Sequence, residues 1–257
     1  MKKLLITLLV VCLLPISRVQ ALDNDVTPNA KSAILIEANS RQILYDKNAE
    51  EKLYPASTNA ASMGGSQVYL EVGESLSLKD MFKSIAIASA NDASVAVAEH
   101  IAGSINKFVE MMNDKAKKLG LKNTHFKNAT GLHDPDHYTC AHDLAIMAAY
   151  LIEIGGEDLF AVTSLYDSYI REDTKQSFWL VNTNKLLKLY NGVDGLKTGY
   201  TKEAGYCLVT TAQRDGQRII GVLMKETAPK TRNEEMCSLL DYGFNNYKQV
   251  TIFKKDT

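Results

Sequence analysis

Cysteine is scarce in this chain, and its histidines do not fall into the spacings that bind metal. Of the four cysteines, Cys12 lies in the N-terminal apolar run and the other three form no CxxC pair. That pattern does not predict a disulfide-stabilised scaffold in a chain of 257 residues. His133, His137 and His142 are close in sequence, but they lack the helical HExxH pairing typical of a zinc site. We therefore expect no metal and no cofactor.

An excess of positive charge is also missing. The chain carries 29 lysines and arginines against 30 acidic residues. Three of the basic residues, Lys2, Lys3 and Arg18, lie at the extreme N-terminus. Proteins that bind nucleic acid need a basic face to neutralise phosphates. The charge balance therefore predicts that no nucleic acid is a partner.

Long apolar runs are limited to the N-terminus. Lys2 and Lys3 precede the apolar residues 4–16, and residues 19–21 follow with small side chains at the spacing of a cleavage site. This pattern is typical of a secretory signal peptide, because the run is too short to span a bilayer comfortably. An uncleaved membrane anchor is the alternative. A signal peptide at residues 1–21 predicts an extracytoplasmic protein, secreted or associated with the cell envelope.

Strand patterns lie near both ends of the chain. Residues 32–37 and 42–46 are β-rich runs that predict a hairpin. Residues 206–212 and 218–224 flank the Asp215-Gly216 pair, which is a favoured hairpin turn. Apolar residues recur at helical spacing between these ends. The order predicts an α+β fold, in which an antiparallel sheet from both chain ends is flanked by helices and a helical subdomain is inserted.

The helical subdomain is expected at about residues 75–165. Ser77 and Ser104 are residue types that begin helices, and Gly120 is expected to end the helix that Ser104 begins. A third helix is predicted at residues 139–154, ended by the glycine pair that follows it.

A final amphipathic helix is predicted at residues 231–247. We expect one domain at residues 22–247. Residues 248–257 become β-like again, which we interpret as the start of a truncated C-terminal domain.

Three short motifs carry hydroxyl, amide and amine groups. They are Pro55-Ala56-Ser57-Thr58, Ser89-Ala90-Asn91 and, on a predicted strand, Lys197-Thr198-Gly199. Each is weak alone, since the second is equally typical of a polar helix break and the third of a strand end. In this order they match the motif set of penicillin-binding proteins and class A β-lactamases.

Three longer sequence segments make that match more specific. They are AASMGGSQVYLEVGE, IAIASANDASVAVAEHIAG and GVDGLKTGYTKEAGYCL, at residues 60–74, 85–103 and 192–208. In these the chain resembles the D-alanyl-D-alanine carboxypeptidases, low-molecular-mass penicillin-binding proteins of peptidase family S11, and resembles β-lactamases less. The resemblance implies a penicillin-binding protein or β-lactamase-like fold and a peptidoglycan stem peptide ending in D-Ala-D-Ala as substrate. It also implies β-lactams as covalent ligands. Contact with a membrane would come only through a C-terminal anchor, missing here, or an uncleaved signal.

The resemblance assigns the acyl-transfer chemistry to three residues. Ser57 matches the nucleophile that attacks the carbonyl between the two D-alanines, forming an acyl-enzyme that water hydrolyses. Ser89 matches the hydroxyl that relays protons to the leaving amine. Asn91 matches the amide that holds the substrate backbone.

Four further residues match the substrate-binding strand. Lys197 and Thr198 would bind the terminal carboxylate, and Gly199 would let the substrate backbone lie against the strand. The backbone N–H groups of Ser57 and Tyr200 would form the oxyanion hole.

The family pattern fails directly after Ser57. In the family a lysine one helical turn later is the base, and here that position is Ala60. We interpret the join at Asn59 as an internal deletion that removed an apolar, lysine-bearing helix. Ser104 and Lys107 form a second SxxK spacing, but Ser104 is better explained as a helix cap. We therefore expect a carboxypeptidase by descent that is inactive as such, with a non-catalytic binder of peptidoglycan peptides as the alternative.

Overall fold

The computed structural model describes residues 33–36, 43–47, 53–172 and 174–248. The predicted signal peptide and residues 249–257 lie outside the described residues. In the described part, no helix is long and apolar enough to cross a membrane.

The N-terminal hairpin is confirmed. Strands β1 (Ala33–Ile36) and β2 (Ile43–Lys47) pair antiparallel, with a register shift between Leu35 and Ile36. The hairpin belongs to a unit separate from residues 52–257. A sheet shared by both chain ends therefore stays a prediction.

The first half of the larger unit is mainly helical. A short strand pair, β3 with β4, precedes and follows the segment that carries helix α1. The elements are β3 (Leu53–Pro55), α1 (Thr58–Ala61), β4 (Ser75–Ser77), α2 (Leu78–Ala86), α3 (Asn91–Ala102), α4 (Ile105–Lys118) and α5 (Ala141–Thr163).

The second half is mainly strands. A three-stranded antiparallel sheet in the order β7-β8-β9 is its largest element, and the terminal helix packs against β8 and β9. The elements are β5 (Asp167–Ile170), β6 (Phe178–Val181), α6 (Leu186–Leu189), β7 (Val193–Thr201), β8 (Gly205–Arg214), β9 (Gln217–Glu226) and α7 (Pro229–Asn246). Helices and antiparallel sheets together confirm the α+β class.

The predicted helix signals act as expected at three positions. The Ser77 hydroxyl accepts a hydrogen bond from the Asp80 N–H at 3.1 Å, and the Ser104 hydroxyl accepts one from the Lys107 N–H at 3.3 Å. Gly120 follows the end of α4 with φ +72°, the left-handed conformation that glycine adopts readily. Ser104 is therefore a helix cap, as the sequence predicts.

The third helix is interrupted at the predicted glycine pair. The helical span α5 begins at Ala141, has non-helical backbone angles at Gly156 (φ 47°, ψ −137°), and consists of two helical segments that meet there at a kink. The turns after the kink carry Leu159 and Val162, both almost fully buried. The glycine pair therefore ends the first segment, as the sequence predicts, and a second helical segment that the sequence did not predict continues to Thr163.

Three hydrophobic clusters form among the described residues, the smallest around Ala148, Leu159 and Leu196. Another lies around α2 and α3, where Met81 and Ile87 are fully buried. The third lies between the three-stranded sheet and α7, around Leu208, Met236 and Leu240. The motif residues lie on elements that these clusters hold in place.

Candidate functional site

One cleft of about 440 Å³ brings most of the predicted site residues together. Its walls are the α2–α3 connection, the loop at residues 130–132 and the end of β7. Six of the seven predicted residues line it, namely Ser89, Asn91, Lys197, Thr198, Gly199 and Tyr200. Residues far apart in sequence thus form one surface.

The α2–α3 connection turns sharply at Ser89, which has φ +61°. The backbone N–H of Ala90 donates to the Ser84 carbonyl at 3.0 Å, and that of Asn91 donates to the Ser66 carbonyl at 2.8 Å. Asn91 also donates from its side-chain amide to the Gly64 carbonyl at 2.8 Å. These bonds hold an uncommon backbone conformation and fix the Ser89 and Asn91 side chains in the cleft wall.

Lys197 reaches from β7 to the opposite wall. Its amine donates to Ser89 Oγ at 2.8 Å and to the Thr198 carbonyl at 2.9 Å. Burial lowers the pKa of Lys197 to about 8. The amine is therefore mainly a cation at neutral pH and loses its proton in mildly alkaline solution.

The end of β7 is open to a ligand. Among the described strands β7 pairs with β8 alone, so its other edge has unpaired backbone groups. Gly199 and Tyr200 are exposed there, and the Tyr200 ring stacks on Tyr206 with 4.4 Å between centroids. The Thr198 hydroxyl lies 2.6 Å from that of Thr183. An extended peptide could add to this edge as a further strand.

The third wall is a loop that motif analysis did not assign to the site. Asn128 Oδ1 accepts from the N–H of Thr130 at 3.1 Å and of Gly131 at 2.7 Å. Its Nδ2 donates to the Leu132 carbonyl at 2.8 Å. Asparagine at the start of a turn that ends in glycine is the sequence signal for such a loop, although it does not reveal which site the loop faces.

Ser57 is the seventh predicted residue, and the structure does not place it among those lining the cleft. It caps α1, accepting from the Ala60 N–H at 3.0 Å, and it donates to Glu99 Oε2 at 2.5 Å. Asn59 donates to the other Glu99 oxygen at 2.8 Å. Glu99 and Asn91 share helix α3 eight residues apart, which is about 12 Å along the helix axis. Ser57 thus bonds to a residue eight positions along α3 from the cleft residue Asn91, and none of its described hydrogen bonds is to Lys197 or Ser89.

The position of the expected lysine offers no room for one. Ala60 is fully buried in the core that contains α3. Among the described residues, the hydrogen-bond partners of Ser57 Oγ are the Ala60 amide and the Glu99 carboxylate. The described hydrogen bonds of this hydroxyl thus include none to an amine.

The cleft has the chemistry of an anion and peptide site. It offers one cation, several hydroxyls and an open strand edge. Within the described residues there is no group of three or more histidines, cysteines or acids able to hold a metal ion.

The chain is similar in sequence and in fold to D-alanyl-D-alanine carboxypeptidases. The family model of that description, peptidase S11, matches residues 57–228. The chain is similar to D-alanyl-D-alanine carboxypeptidase DacF of Bacillus subtilis, with 46% identity over 261 positions, 91% of this chain and 67% of the relative. It is similar in structure to DacD of Francisella tularensis (TM-score 0.74, 27% identity, 89% of this chain and 73% of that one). Penicillin binding protein 6B of Escherichia coli is comparable (TM-score 0.73, 33% identity, 80% and 65%).

The alignment to DacF is longer than the chain itself. It extends over 261 positions yet covers 91% of 257 residues, so roughly 27 of its positions have no residue of this chain opposite them. The chain spans about two thirds of the length of the curated relatives that it matches. On the extent of the family match and the identity to DacF, this chain belongs to the peptidase S11 family, the D-alanyl-D-alanine carboxypeptidases.

Proposed function

We propose that this protein binds peptidoglycan stem peptides ending in D-Ala-D-Ala, outside the cytoplasm, and does not cleave them through Ser57. The proposal rests on one observation, that the predicted site residues are divided between two places in the structure. Ser89, Asn91 and Lys197 share one cleft, whereas Ser57 is bonded to Glu99 at another part of α3. β-Lactams, which penicillin-binding relatives take up, would occupy the same cleft. Attachment to a membrane by a C-terminal anchor or an uncleaved signal stays a prediction.

The free peptide carboxylate would bind at Lys197 and Thr198. The Lys197 amine already makes two hydrogen bonds in the cleft, and a third proton on the ammonium remains to donate to a carboxylate. The Thr198 hydroxyl, paired with Thr183, is a second donor in the same wall. Charge-assisted bonds of this kind are the stronger ones in proteins, so this end of the peptide supplies much of the affinity.

The rest of the peptide would lie along the open edge of β7. Gly199 adds no side chain at this edge, so a peptide backbone can approach closely. Asn91 keeps one amide proton beyond its bond to Gly64 and can donate it to a peptide carbonyl.

Acylation of Ser57 is disfavoured by the group that would have to act as its base and by the position of its hydroxyl relative to the cleft. A serine hydroxyl needs an adjacent base to become a nucleophile at neutral pH. Glu99 accepts the Ser57 proton in a hydrogen bond, but the Glu99 backbone lies eight residues, about 12 Å of helix rise, along α3 from the cleft residue Asn91. A peptide held at Lys197 would not present its carbonyl there.

Binding without release of D-alanine is the first expected result. A pentapeptide ending in D-Ala-D-Ala should bind in titration calorimetry, and its C-terminal amide should bind at least tenfold more weakly because it lacks the carboxylate. Free D-alanine, measured by coupled amino-acid oxidase assay, should stay at the background of a no-protein control. Release of D-alanine that disappears in Ser57→Ala would contradict the proposal.

Carboxypeptidase activity is the second candidate function, and the 46% identity to DacF favours it. The same oxidase assay separates the two functions, since only this one releases D-alanine.

Affinity for the peptide should depend on pH through Lys197. The pKa of the free amine is lowered to about 8 by burial, so the cation that binds the carboxylate is present below pH 8 and is lost above it. Affinity should be constant from pH 6.5 to 7.5 and then fall by at most about tenfold per pH unit. A bound carboxylate raises the pKa of the amine, so the decline begins near pH 8 and ends at the higher pKa of the complex. The peptide amide should show no such decline, and an equal decline for both ligands would exclude Lys197 as its origin.

A further inference from the structure

The contact between Ser89 and Lys197 pairs a hydroxyl with an amine that can lose its proton. Lys197 Nζ lies 2.8 Å from Ser89 Oγ, within the range at which a base activates a nucleophile. Both side chains line the cleft in which a ligand would lie. The strained φ of +61° at Ser89 is of the kind that collects at functional sites.

We propose that Ser89 and Lys197 form a nucleophile–base pair that takes up an acyl group from activated donors bound in the cleft, β-lactams and thioesters. The inference rests on the proposed function in one respect, that the donor binds in this cleft. It gives Ser89 a role that the family resemblance assigns to Ser57.

The step conserves atoms and charge without a further reactant. Ser89 Oγ bonds to the acyl carbon while the neutral Lys197 amine accepts the hydroxyl proton. The carbonyl re-forms as the C–N bond of the lactam, or the C–S bond of the thioester, breaks. The departing nitrogen or sulfur takes the proton from Lys197, leaving an ester on Ser89 and a neutral amine. No oxidant, reductant or metal is needed.

The environment of Lys197 supports a base at this position. Burial lowers its pKa to about 8, so roughly one amine in ten is neutral at pH 7. The same hydrogen bond then operates in reverse, with Ser89 donating to Lys197.

Stabilisation of the developing oxyanion is weaker than in a complete hydrolase. The N–H groups of Ala90 and Asn91 already donate to the Ser84 and Ser66 carbonyls. The unpaired edge of β7 is the remaining source of backbone donors. One missing oxyanion donor slows acyl transfer by about 10²–10³-fold. Activated donors should therefore react, slowly, and D-Ala-D-Ala amide bonds should not.

Mass spectrometry of the full chain tests the proposal. The protein is incubated for several hours at pH 8.5 with a fluorescent penicillin, digested, and the labelled peptide sequenced. We expect the label on the peptide that contains Ser89, and we expect it to be lost in Ser89→Ala. Ser94→Ala is the matched control, because this α3 serine only donates to the Ala90 carbonyl at 2.8 Å. It should be labelled like the unaltered chain.

Lys197→Arg separates chemistry from binding. Arginine keeps the positive charge but does not deprotonate in proteins. Labelling should fall by at least tenfold while calorimetry still detects the pentapeptide, which also shows that the variant is folded.

Each remaining outcome decides something different. No label on a chain that still binds the pentapeptide would overturn the Ser89 inference and leave the proposed function standing. Label on the peptide containing Ser57 would overturn both. Undiminished labelling of Lys197→Arg would exclude Lys197 as the base.

Discussion

Inserting between Thr58 and Asn59 the lysine-bearing helix that the family pattern has after the serine should give rapid labelling of Ser57 by penicillin. The insert is the segment of DacF that has no counterpart here, to which we assign the roughly 27 unmatched alignment positions. It would supply the lysine that the family pattern places one turn after the serine. It would also replace the four-residue α1 by a longer helix, which should carry Ser57 away from Glu99. A positioned general base contributes on the order of 10²–10⁴-fold to a rate, so acylation should accelerate at least a hundredfold.

Two matched variants of the insertion test whether the inserted lysine and Ser57 are responsible for the faster labelling. The same insert with its lysine changed to glutamine should fold but lose the gain, and Ser57→Ala in the insertion variant should abolish it. Fluorescent penicillin followed by denaturing electrophoresis measures all three. If the insertion variant folds, binds the pentapeptide and still shows no faster labelling, the proposed deletion does not limit acylation of Ser57.

Asp92→Ala should cause the largest loss of stability among single substitutions in the cleft wall. Asp92 is fully buried and accepts hydrogen bonds from the backbone N–H groups of Val68, Leu70 and Ala93, at 2.9–3.2 Å. Alanine would leave three buried donors without a partner, each costing about 1–3 kcal/mol. We expect the free energy of unfolding to fall by about 3 kcal/mol or more, against a total of roughly 5–15 kcal/mol for a typical domain.

Urea unfolding followed by circular dichroism measures this loss. Asp114→Ala, at an exposed position on α4, should change stability by less than about 0.5 kcal/mol. Asp92→Asn, which keeps one acceptor oxygen, should fall between the two. A loss in Asp92→Ala no greater than in Asp114→Ala would show that these bonds do not hold the segment.

Local signals in the sequence predict much of the fold. Ser77 and Ser104 begin helices because a hydroxyl can satisfy an N–H of the first turn, which depends on neighbouring residues alone. Asp215-Gly216 joins β8 and β9 for the same kind of local reason. The helical segment after the kink at Gly156 depends instead on what Leu159 packs against, and no local pattern contains that.

The candidate site shows the same contrast between what local sequence signals predict and what long-range contacts decide. The motifs predict that Ser89, Asn91 and Lys197 meet, and they line one cleft. The sequence also shows that Ala60 replaces the expected lysine. The bond between Ser57 and Glu99 joins residues 42 positions apart, and Glu99 has no place in the motif set. Nothing in the sequence indicated that the Ser57 hydroxyl would bond to Glu99.

The open edge of β7 has a consequence for the solution behaviour of the protein. A strand that offers free N–H and C=O groups to a stem peptide offers them to any extended chain, including the corresponding edge of a second molecule. Bound peptidoglycan would therefore shield the sheet as well as occupy the cleft. Under the proposed function, colloidal stability and ligand occupancy would be coupled through one row of backbone groups.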